Sequence, residues 1–167
     1  MPRRSRQLLI ALLACGCLWA RDSAGSTAQV QVAVITAEPA PQLTLDRDTL
    51  RNVYLKKIFV DRKGQRLVPV NLPPESALRV AFIHTVIHLP DGQLEDYWNR
   101  QYFQGVSPPY VLASQQAVVR FVAATPGAVG YVATCHVDSS VRVVLMLTLP
   151  VPGTPAAVAD CPRQPPH

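Results

Sequence analysis

His84 and His88 stand four residues apart in a stretch of helical periodicity, which puts both imidazoles on one face and lets them share a Zn²⁺. No Glu follows His84 to make His-Glu-x-x-His and no third ligand is evident, so the pair reads as a solvated polar face and no metal is expected. Tyr97, Trp98, Tyr102 and Phe103 form an aromatic cluster. It could serve as a binding surface, but a core role is expected for Trp98 and Tyr102. Ser, His and Asp are all present without anything resembling a nucleophile elbow, so neither enzymatic activity nor a cofactor is expected.

The elements that position these residues alternate in type. Gln29–Thr36 passes from alternating polar and apolar residues into Ala33-Val34-Ile35, a strand entering a buried sheet. Leu50, Val53, Tyr54 and Ile58 share a face of a helix over 46–58, with Asp46 as its N-cap. Leu67–Asn71 is a short strand that Pro69 pushes toward a sheet edge or an irregular pairing. A strongly apolar helix is expected over 75–88, and another carries Leu94, Tyr97, Trp98 and Tyr102 to a stop at Gly105. Ser114 caps a helix whose core face is Ala117, Val118, Phe121 and Val122. Pro126-Gly127 turns into a strand over Ala128–Ala133. Val141–Leu147, a continuous apolar run, reads as an interior strand. From Leu149 the composition is Pro, Ala and Gly, read as a disordered tail over 149–167. The sum is an α/β layer structure of about five strands with helices on both faces.

The N-terminus reads as an export signal over 1–28. Arg3, Arg4 and Arg6 precede an apolar Leu8–Ala20 too short to span a bilayer comfortably. Ser26-Thr27-Ala28 suits cleavage after Ala28, with Ala20 and Gly25 as further positions. An uncleaved anchor is the competing reading, and Leu12–Cys15 only approximates a lipobox. The 167-residue chain carries sixteen Lys and Arg against eleven Asp and Glu. Arg3, Arg4, Arg6, Arg21 and Asp22 precede Gln29, leaving twelve against ten beyond it. That balance is too small and scattered to argue for nucleic acid. No other run is apolar enough to cross a membrane, so a periplasmic or secreted protein is expected, with one domain over 29–148. Cys135 and Cys161 remain beyond the signal. In an oxidising compartment they are a disulfide candidate; the alternative is two independent thiols.

Val68–Phe82 and Thr125–Val132 together resemble the second lobe of the phosphate-binding proteins that feed phosphate ABC transporters, members of the type 2 periplasmic binding protein superfamily. Thr125-Pro126-Gly127-Ala128-Val129-Gly130-Tyr131-Val132 matches that family's closing Thr-Pro-Gly-Ala-Ile-Gly-Tyr-Val except for Val129. Lys57-Ile58-Phe59-Val60 is similar to the start of its Ile-Phe-Leu-Gly-Lys motif, whose Gly-Lys and following Trp are replaced here by Asp61-Arg62-Lys63. The resemblance spans Val30–Val132 and implies a short, single-lobe member with a five-stranded mixed sheet. It implies a binding or interaction module for phosphate or another small oxyanion, joined to a protein partner or second subunit that completes a cleft. A purely structural or assembly role in the periplasm is the alternative. The family holds phosphate with an Arg and a Ser-Gly-Thr at a helix start, where free N–H groups and the dipole favour an anion. Aligned on Ser76, those positions here are Leu72, Ala77 and Leu78. What the resemblance leaves is a weak, vestigial anion site of Ser76 with the N–H groups of Ala77 and Leu78, helped by Arg79. The plain reading of Ser76 is a helix cap.

Overall fold

The computed structural model describes residues 28–41, 44–151 and 153–161. The expected export signal, up to Thr27, lies outside them. Five strands form one mixed sheet: β1 (Ala28–Thr36), β2 (Val68–Asn71), β3 (Tyr110–Val111), β4 (Ala128–Ala133) and β5 (Arg142–Val151). Their order is β3-β2-β4-β1-β5. β1 is antiparallel to both neighbours, with Val32 opposite Ala133 and Leu147, while β2 is parallel to β3 and β4. Four strands thus run one way and β1 runs against them.

Pro69 is tolerated because β2 pairs with β3 only at Val70 and Asn71, so at Pro69 the strand has a single neighbour, β4. β5 corrects the reading of 141–147 as an interior strand. It is the sheet edge beyond β1, with Val143 and Met146 exposed and Leu147, Leu149 and Val151 buried.

Helices cover both faces. A Cβ at Gly130 would meet Val118 and Val122 of α4 (Gln115–Ala124). The next residue, Tyr131, points to the other face. There it stacks on Phe82 of α2 (Ala77–Phe82), with ring centroids 3.9 Å apart, beside Tyr54 of α1 (Arg47–Tyr54). Asp46 Oδ1 caps α1 by accepting from Thr49 N–H at 2.7 Å. The helix stops short of the expected Ile58, because Lys56 takes φ +52° and the N–H groups of Lys57 and Ile58 turn back to Asn52 O. The expected helix over 75–88 divides into α2 and a π-helical turn, Ile83–Ile87, closed by His88 at φ +54°. α3 (Asp91–Tyr102) follows. Its Tyr97 donates to Leu55 O at 2.6 Å and Trp98 is half-buried, but Tyr102 is 69 % exposed, against the expectation that it enters the core.

The patternless tail expected from Leu149 is also corrected. β5 continues to Val151, and α5 (Pro155–Ala159) buries Val158 and Ala159. Cys135 and Cys161 are joined by a disulfide. Residues 162–167 lie outside the described residues. Among the described residues no helix is long and apolar enough to cross a membrane.

Candidate functional site

In an open α/β sheet the ligand crevice lies outside the carboxyl ends of the parallel strands. At the end of β2, Pro73-Pro74 carry the chain from Asn71-Leu72 to Ser76, the N-cap of α2. Ser76 Oγ accepts from Arg79 N–H at 3.5 Å, a long capping bond. Ser76 O accepts from Val80 N–H at 3.0 Å. Arg79 folds back, and its Nη1 donates to Leu72 O at 2.7 Å. Tyr131 completes the group, its hydroxyl donating to Asn71 Oδ1 at 2.7 Å. Burial pushes the Tyr131 hydroxyl above its ordinary pKa; the backbone at Leu72 and the positive charge of Arg79 oppose that shift.

Ser76, Ala77, Leu78 and Arg79 therefore stand together at one strand end, but Ser76 Oγ already accepts the Arg79 N–H and Arg79 Nη1 is committed to Leu72 O. Leu78 adds no hydroxyl and is buried in the core, and Leu72 is buried with it and brings no charge. Holding a desolvated, doubly charged anion requires compensating charge, and Arg79 is the single cation of this group.

His84 and His88 are both exposed, and the described residues contain no group of three or more His, Cys, Asp or Glu able to hold a metal. Two residues missed in the sequence dominate the neighbouring strand end. Gln115, the first residue of α4, is buried. Its Oε1 accepts from Ala133 N–H at 2.7 Å and its Nε2 donates to Ala159 O at 2.7 Å. Buried His136 meets the same Ala159 O through Nε2 at 2.9 Å. Together with the disulfide, these bonds anchor the C-terminal segment at the carboxyl end of β4. A lone Gln at a helix start gives no sequence signal for such a bridge.

The geometry has solved counterparts. A protein described as a phosphate ABC transporter substrate-binding protein, with bound phosphate, from Clostridium perfringens superposes with a TM-score of 0.57 at 20 % identity, over 71 % of this chain and 45 % of that one. The fold is periplasmic-binding-protein-like. An ABC-type phosphate transport receptor from Vibrio cholerae gives 0.55 at 23 % identity, over 71 % and 46 %. PstS from Borrelia burgdorferi gives 0.54 at 13 %, over 70 % and 47 %. The chain thus spans less than half the length of these structures. No family model matches it, and no curated protein does.

Proposed function

We propose that this chain is an exported, non-enzymatic binding or interaction module resembling one lobe of a phosphate-binding protein, with weak affinity for small oxyanions and a second chain completing the cleft. The observation that carries this reading is the placement of Ser76 and Arg79 at the carboxyl end of β2, in a fold shared with phosphate-binding proteins. The Ser76 O–H and the remaining Arg79 N–H groups could donate to the anion, but Arg79 is held back toward Leu72 O and is the one cation of the group, which keeps affinity low. The anchoring of Ala159 by Gln115 and His136 favours a second reading, an assembly protein without a small ligand, because it rigidifies a strand end where a crevice would open.

Thermal unfolding with phosphate or sulfate, against sodium chloride at matched ionic strength, separates the two. A saturable site stabilises by about 2.7 kcal/mol at a hundredfold excess over Kd. The binding reading expects an anion-specific rise in Tm at millimolar concentration that Ser76→Asp abolishes. A rise that survives Ser76→Asp removes the proposed site, and no rise with any anion leaves the assembly reading.

A further inference from the structure

We propose that a groove at the opposite end of the sheet, beside the start of β2 and β3, takes an extended acidic segment of a partner protein, added as a strand along the free edge of β3. The groove encloses about 640 Å³, and Lys56, Phe59, Val60, Arg66, Pro108 and Tyr110 are among the residues that line it. Three features of this place point to that occupant.

The first is charge. Lys56 and Arg66 both line the groove, and no carboxylate lines it with them. Burial and then the charge of Arg66 lower the Lys56 pKa, so the two cations share one field. An acidic side chain would relieve their repulsion.

The second is exposed apolar area. Phe59 is 62 % and Tyr110 65 % exposed, and Val60 and Val111 are also open. Large side chains left in solvent together mark an interaction surface. Aromatic and aliphatic groups flanking two cations suit a segment in which apolar and acidic residues alternate.

The third is the strand edge. Among the described residues β3 has no strand beyond it. Leu112 N–H points inward to Asn71 O at 2.8 Å, so alternation turns the N–H and C=O of Val111 outward. A bare edge beside a pocketed groove is the arrangement on which an added peptide strand gains main-chain hydrogen bonds and side-chain selection.

Neither terminal stretch outside the described residues has the charge of such a segment. Residues 1–27 carry four Arg against Asp22, and 162–167 carry no acid. A twofold pairing of two copies through this face would set Lys56 and Arg66 against their own equivalents.

The test is selection of a random-peptide display library on the full chain, followed by affinity measurement with the synthesised winners. The expected winners alternate apolar with Asp or Glu. Their affinity falls roughly tenfold or more in the Lys56→Glu, Arg66→Glu double variant and weakens with salt. Val111→Pro, which an edge strand tolerates on its outward side, should weaken binding while the circular dichroism spectrum stays unchanged. No enrichment, neutral or basic winners, or winners that bind the double variant equally well would overturn the proposal. So would a wild-type dimer that the double variant dissolves, which would assign the groove to a second copy. None of these outcomes depends on Ser76 or on an anion at the other end of the sheet.

Discussion

Gly130 has no room for a side chain. A Cβ there would lie 2.6 Å from Val118 Cγ1 and 3.0 Å from Val122 Cγ2, the residues that pack α4 onto β4. Gly130→Ala should therefore cost about 1–3 kcal/mol through overpacking, read as a lower urea midpoint at unchanged slope. Gly127 is more constrained. Its φ is +79°, and a Cβ would fall 2.1 Å from Arg66 O, a backbone atom that cannot swing away. To the roughly 1–2 kcal/mol of a left-handed L-residue Gly127→Ala adds that collision, so it should be the more damaging of the two in the same titration. These positions explain what the Thr125–Val132 motif reports. Gly127 makes the turn, Gly130 seats α4, and Tyr131 stacks on Phe82. The most specific stretch of resemblance is a packing device, so it made the fold legible and left the ligand illegible. Ser76 was legible too, as a cap; that Arg79 would turn back to Leu72 was not, because a rotamer leaves no trace in residue order.

At the scale of elements, legibility followed the strength of local signals. Asp46 and Ser114 cap α1 and α4, and β4 occupies the whole of Ala128–Ala133. The C-terminal segment was misread because composition was weighed above position. Leu147, Leu149 and Val151 alternate with Thr148 and Pro150 at the period of a strand, and an edge accommodates the proline. Thr154 followed by Pro155 is an N-cap followed by a proline at the first helical position, and Thr154 Oγ1 accepts from Ala157 N–H. α5 is a single short helix that cannot stand alone, so the disulfide carries unusual weight. Replacing Cys135 and Cys161 by Ser should cost roughly 2–4 kcal/mol for a bridge across 26 residues. It should also raise hydrogen exchange at Val158 and Ala159 well before the sheet opens, the signature of a local unfolding unit. Equal protection of α5 and β4 in the double variant would show that Gln115 and His136 suffice.

Two buried phenols tie elements together in the core of the molecule. Tyr54 donates to Val70 O at 2.9 Å and approaches Val129 O at 3.3 Å, tying α1 to two strands, and Tyr131 ties β4 to Asn71. Burial raises the pKa of both above the ordinary value of 10.0, for Tyr54 with the neighbouring Tyr131 as the second cause. An unfolded chain then releases protons near pH 10 that the folded chain retains. The contribution of these groups is fully present below that pH and is lost as pH rises above it. Urea midpoints should hold steady from about pH 8 to about pH 9.5 and then fall, and Tyr54→Phe or Tyr131→Phe should flatten the fall even while lowering the plateau. An unchanged alkaline slope in both variants would mean that other groups govern it.

The flanking of β1 on both sides bears on how the chain becomes a protein. β1 comes first among the strands, yet both strands that flank it, β4 and β5, come last. A growing or threading chain thus carries this strand, buried from Val32 to Thr36 in the folded state, without either neighbour until Ala128 and everything up to Val151 have emerged. Such long-range closure is slow, because the loop entropy is lost before any ladder forms. The interval between emergence of β1 and emergence of β5 is when this molecule is most exposed to aggregation, and it is the window in which a chaperone would be of greatest use to it.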